Sequence, residues 1–183
     1  MGLDITAYKN LQIVENPTLD EYGDLENWET EWCPGESMSW SETHFKGRAE
    51  GVMADKVYTW EDRFDFRAGS YSSYNIWRRK LQEFANQDLF KITTDGMGNV
   101  GLECIDTALI DSDSFYELIE FADNEGVIGS VVSKKLLSDF IKNKSKAKEF
   151  SKTFEEGNNW FYLYCDWLKA FEYASENGAI DFH

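Results

Sequence analysis

The sequence predicts an α+β fold in one domain: an antiparallel or mixed sheet with about four helices packed mainly on one side. Three observations carry that prediction. Apolar residues recur at helical spacing in four separate stretches, and short β-like runs lie before and between them. No repeat, low-complexity tract or linker divides residues 1–183, a length that can bury a full core.

Residues 3–14 alternate loosely through Leu3, Ile5, Ala7, Leu11 and Ile13, which predicts an opening strand or hairpin. Residues 15–50 read as an irregular acidic insertion, broken by Pro17, Gly23, Pro34, Gly35 and Gly47. Its Trp28, Trp32 and Trp40 are expected to pack in part. Two short strands follow, at 57–60 and 64–66. From Ser73 the period changes: Tyr74, Trp77, Leu81, Phe84 and Ala85 share a helical face, with Ser72 or Ser73 as cap. Residues 89–105 read as a hairpin turning through 94–99. Ser114-Phe115-Tyr116-Glu117 matches a capping box, with Phe115, Leu118, Ile119 and Ala122 as the apolar stripe behind it. Leu136, Leu137, Phe140 and Ile141 mark a third helix from near Ser133. Residues from Trp160 to Ala174 mark a fourth, stopped by Asn177-Gly178. Residues 179–183 are expected to return to the sheet.

Composition narrows the partners. The net charge of −16 argues against direct binding to nucleic-acid backbones. It leaves open a basic protein partner or mimicry of nucleic acid. The charge is blocky: residues 15–42 hold nine acidic residues and 103–126 hold eight, with no Lys or Arg in either stretch. Arg78-Arg79-Lys80 and the lysines of 142–152 are locally basic. No apolar run is long enough for a membrane span, and no leader is recognisable. Cys33, Cys104 and Cys165 are unpaired in spacing, as expected of reduced thiols in a cytoplasmic protein.

The chemistry-bearing stretch is Phe66-Arg67-Ala68-Gly69-Ser70-Tyr71-Ser72-Ser73-Tyr74-Asn75-Ile76-Trp77-Arg78. An arginine, a glycine and serines stand directly before a helix start, where unpaired N–H groups and the macrodipole favour an anion. Arg67, Gly69 and Ser70 are the candidate anion-holding residues. Tyr71, Tyr74, Asn75 and Arg78, at helical spacing, are expected to share a mouth. The plain alternative is a turn feeding a capped helix. A second candidate runs from Phe121 to Ser130, in which Asp123 and Glu125 can accept from sugar hydroxyls or orient Arg67, or simply flank a helix stop. Catalytic readings are poor. His44 and His183 adjoin no nucleophile motif, Gly96-Met97-Gly98 reads as a hairpin turn, and no zinc, calcium or cofactor motif is present.

The start Met1-Gly2-Leu3-Asp4-Ile5-Thr6-Ala7-Tyr8, the Phe66–Arg78 run and Asp123-x-Glu125-Gly126-x-Ile128-Gly129 together resemble a group of small bacteriophage and prophage proteins. The resemblance implies a viral setting in a bacterial cytoplasm. It implies no particular chemistry. Joined to the residue reading, the expected function is a small-molecule-binding protein that sequesters a nucleotide-derived host defence signal without catalysis. The alternatives are an acidic protein-interaction inhibitor or DNA mimic of a host protein, and a small nucleotide hydrolase. Exposed aromatics at this density also suggest a homo-oligomer.

Overall fold

In the computed structural model, which describes residues 2–85, 90–94, 100–104, 114–121 and 126–183 (the backbone alone at 90–94 and 100–104), the chain folds as α+β. The elements run β1 (Gly2–Lys9), β2 (Gln12–Ile13), α1 (Gly35–His44), β3 (Tyr58–Thr59), β4 (Asp62–Ser70), α2 (Tyr71–Ala85), β5 (Phe90–Thr94) and β6 (Val100–Cys104). Then follow α3 (Tyr116–Glu120), β7 (Gly126–Gly129), α4 (Ser130–Phe150), α5 (Gly157–Ala174) and β8 (Ala179–Phe182).

Four strands form one antiparallel sheet in the order β4-β1-β8-β7. The last strand in sequence therefore lies inside the sheet. Asn177, with φ of 49°, makes the left-handed stop after α5. Gly178 then passes so close to the Tyr8 carbonyl that a side chain there would collide with backbone. Strand alternation divides the sheet into two faces. Leu3, Ile5, Ala7, Ala68, Ile128, Ile180 and Phe182 turn inward onto α2, α3, α4 and α5. Trp167 sits centrally, within aromatic contact distance of Phe66, Tyr74, Trp77, Phe171 and Phe182. Burying each such side chain contributes roughly 1.5–3 kcal/mol, so this layer dominates the fold's stability.

The outer face is covered in part by a smaller cluster of Tyr8, Trp32, Met38, Val52, Tyr58, Val127 and Ala179. This is where the segment read as an irregular insertion departs from expectation. It contains α1, and Trp32 is buried within the outer cluster, whereas Trp28 and Trp40 remain exposed. α1 shows no apolar stripe because only Met38 and Ser41 of its residues are buried.

Two further expectations are corrected. The N-cap of α3 is Phe115 rather than Ser114 and makes no side-chain cap hydrogen bond; α3 is one short turn, entered through Phe115 in the left-handed region at φ 66°. Burial holds Phe115 there, edge-on to Phe140 at 4.9 Å, and its N–H donates to Asp139 Oδ2 at 2.9 Å. The third helix begins at Ser130 rather than near Ser133, directly after β7. The hairpin of 89–105 is present as β5 paired with β6; its turn lies outside the described residues. Among the described residues, no helix is long and apolar enough to cross a membrane.

Candidate functional site

β4 passes into α2 with no connecting residue. Gly69 makes this possible at φ +103°, where a side chain would be strained and would press on Ser73. Ser70 then caps the helix: its hydroxyl accepts the Ser73 N–H at 3.1 Å and lies 2.8 Å from the Ser73 hydroxyl. The cap is thus Ser70, not Ser72 or Ser73.

One side of α2 forms a cleft with α5. The cleft has a volume of about 560 Å³ and is floored by Trp77 and Trp160, with Phe154, Ile76 and Leu163 as apolar walls. Its polar groups are few: Ser73 at one end, Lys80, and the pair Glu156 and Asn159. The Asn159 amide donates to Glu156 Oε2 at 2.8 Å, and the Lys80 ammonium lies 5.1 Å over the Phe154 ring. The floor is rigid. Trp77 Nε1 donates to the Trp160 carbonyl at 3.1 Å, and Trp160 Nε1 donates to the Trp77 carbonyl at 3.3 Å. The rings are 6.3 Å apart and inclined by 28°. An apolar slot with a handful of convergent polar groups suits a flat small molecule.

The residues expected at the helix start are separated by the fold. Tyr74 and Arg78 are both 0% exposed. They belong to the core and not to a mouth. The Arg78 guanidinium lies 5.0 Å from the Tyr74 ring centroid, and its Nη1 donates to the Ile119 carbonyl at 2.7 Å. Asn75 Oδ1 accepts from Arg78 Nη2, so the asparagine is engaged by the buried arginine. Burial lowers the Arg78 pKa and raises that of the Tyr74 hydroxyl. Tyr71 is half-buried against the main core. Arg67 is on the opposite face of the sheet from its neighbour Ala68, which lines the cleft; it is exposed, 3.6 Å from Asp4. Asp123 and Glu125 lie outside the described residues. Sequence reasoning missed Ile76, Lys80, Phe154, Glu156, Asn159 and Leu163, which come from two segments brought together by packing alone. The available signal for Arg78 was its spacing: Tyr74, Trp77, Arg78 and Leu81 form one i, i+3, i+4, i+7 stripe.

The outer sheet face carries a separate polar row, Asp65–Thr6–Asp181, aligned across β4, β1 and β8. Thr6 Oγ1 donates to Asp65 Oδ1 at 2.8 Å and is 3.1 Å from His183 Nε2. His183 is held by two backbone hydrogen bonds with Asp4. Asp181 accepts the Trp32 indole N–H at 3.0 Å. Burial raises its pKa to about 7, against the lowering effect of that hydrogen bond. Among the described residues, no group of three or more His, Cys, Asp or Glu side chains is placed to hold a metal ion.

Comparison of the chain with protein-family models, with curated proteins and with solved structures yields no match. The functional reading therefore rests on the cleft itself.

Proposed function

We propose that the cleft between α2 and α5 binds a flat, largely apolar small molecule with one anionic end, of nucleotide type. The observation that carries this reading is the preformed aromatic floor of Trp77 and Trp160, walled by Ile76, Phe154 and Leu163 and bordered, among the described residues, by four polar side chains. A base stacks in the slot, where aromatic faces reward planar groups. Glu156 and Asn159 meet sugar hydroxyls or base edges. The anionic end lies toward Ser73, where the α2 N-terminus favours negative charge. Among the described residues that line the slot none forms a nucleophile–base set, and the role proposed is capture. The resemblance to phage proteins gives that capture a setting, in which a nucleotide-derived host defence signal is sequestered in the bacterial cytoplasm.

A thermal-shift screen with nucleotides, cyclic oligonucleotides and ADP-ribose derivatives tests this. A ligand at a hundredfold over its dissociation constant adds about 2.7 kcal/mol, worth roughly 5 °C or more in a chain of this size. Ile76→Asp places a charge in the cleft at a residue 57% exposed, and the shift should vanish in that variant. Absence of any shift across the panel, or an equal shift in the variant, overturns the assignment.

A further inference from the structure

The loop between β2 and α1 holds large apolar side chains in water. Its backbone closes on itself: the Glu26 N–H donates to the Thr18 carbonyl at 3.0 Å, and the Asp20 N–H to the Asp24 carbonyl at 2.9 Å. Asp20 Oδ1 accepts the N–H groups of Tyr22 and Asp24. Despite this, Tyr22 is 81% and Trp28 70% exposed, with Leu19 beside them in sequence also exposed. Glu21, Asp24, Glu26 and Glu29 surround them, all exposed. Aromatic anchors inside a charged rim are the composition of a contact surface.

The outer side of α4 has the opposite character. The helix carries six lysines against Asp139 and Glu149, in a chain of net charge −16. Its inward residues Ser133, Leu136, Phe140 and Ala147 are buried. Along its other side runs a shallow groove of about 490 Å³ lined by Lys134, Leu137, Ser138, Ile141 and Lys142. Ile141 is 60% exposed. Positions three and four apart make this a continuous stripe of two turns, aliphatic in the middle and cationic at both ends.

We infer that the acidic aromatic loop of one copy of this chain docks on the α4 groove of a second copy. Tyr22 and Trp28 cover Leu137 and Ile141, and Glu21, Asp24 and Glu26 face Lys134 and Lys142. Trp32, near the end of the loop, packs on the outer face of the sheet, whereas α4 belongs to the inner layer. Each copy therefore offers its loop in one direction and its groove in the other, a head-to-tail association. The net charge repels copies at long range but is screened beyond about 8 Å at physiological ionic strength, so the local complementarity decides. A contact this small falls below about 1,200 Å², in the transient class.

Analytical ultracentrifugation at monomer concentrations up to about 1 mM tests the inference, since transient contacts have dissociation constants in the micromolar to millimolar range. The wild type should self-associate at physiological ionic strength, where the net repulsion is screened, and dissociate as salt rises toward about 1 M, where the local ion pairs are screened too. Tyr22→Ser with Trp28→Ser removes the loop anchors, and Lys134→Glu with Lys142→Glu reverses the groove; all four positions are exposed, and melting curves verify folding. Each double variant alone should be monomeric. Mixed together they should form a 1:1 dimer that grows no further, because one intact loop and one intact groove remain. A wild type that stays monomeric at physiological ionic strength overturns the inference. So does association that survives in either variant, or a mixture that fails to pair.

Discussion

Trp77 and Trp160 each donate an indole hydrogen bond to the other's backbone carbonyl, tying α2 to α5 at two points. The acceptors are main-chain atoms, so substituting one indole leaves the other's bond in place. Trp→Phe at either position removes one N–H donor and part of a buried ring, and should cost about 1–3 kcal/mol by urea denaturation. Contacting residues usually couple. Here the costs of Trp77→Phe and Trp160→Phe should add within about 0.5 kcal/mol, because Phe keeps the ring contact and both carbonyls persist. A coupling well above that would show that the two bonds form as one unit.

The capping assignment at α2 separates three neighbouring serines. Ser70→Ala removes the acceptor of the Ser73 N–H and should lower stability by about 1 kcal/mol. Ser72, exposed and within the first turn, should tolerate Ala with a change of less than about 0.5 kcal/mol. Equal effects at the two positions would remove Ser70 from the cap.

How much of this was legible in the sequence depends on whether burial leaves a periodic trace. α5 was legible because Trp160, Tyr164, Trp167 and Phe171 recur at helical spacing and all face the core. β8 was legible as a strand, but its place between β1 and β7 was not, since pairing order has no local signature. β7 was missed because Gly126, Val127, Ile128 and Gly129 are all buried, which gives no alternation and lets two glycines pass as loop punctuation. At the candidate site, Arg78 was judged by its charge when its spacing placed it on the inward stripe. The α2–α5 cleft joins residues some eighty positions apart, and only tertiary packing sets them side by side.

Two glycines should respond to alanine for different reasons. At Gly129 the backbone is extended, but a Cβ would collide with the main chain of Ala49 and Glu50, where the Gly129 N–H also donates to the Arg48 carbonyl at 2.8 Å. Backbone cannot swing aside as a side chain can, so Gly129→Ala should cost about 2–3 kcal/mol or more. At Gly23 nothing lies within 4 Å of the added carbon, and only the φ of +91° opposes it. Gly23→Ala should cost about 1 kcal/mol, from conformational strain alone. Denaturant midpoints of the two variants measure the difference, and a milder effect at Gly129 than at Gly23 would contradict the close approach of β7 to residues 49–50.

Burial of Asp181 beneath Trp32 makes stability depend on pH in the direction opposite to that of a salt-bridged carboxylate. Asp181 titrates near 3.8 when unfolded and at about 7 when folded, because burial disfavours its charged form more than the Trp32 N–H favours it. Between those values the folded chain holds a proton that the unfolded chain has released, so unfolding frees a proton. The stabilisation attached to this group is fully present below about pH 4, and is lost as pH rises through 7. Asp181→Asn keeps an oxygen acceptor for the indole and stays neutral throughout. Its stability relative to wild type should therefore be near equal at pH 4 and should rise through pH 5–7 to a plateau above. Each pH unit between the folded and unfolded titrations of Asp181 corresponds to about 1.4 kcal/mol. The plateau is therefore at most about 4 kcal/mol, lessened by the water that reaches this partly buried carboxyl. Urea denaturation of both proteins across this range gives the difference curve directly. A curve that is flat with pH would mean that Asp181 ionises freely on the folded sheet.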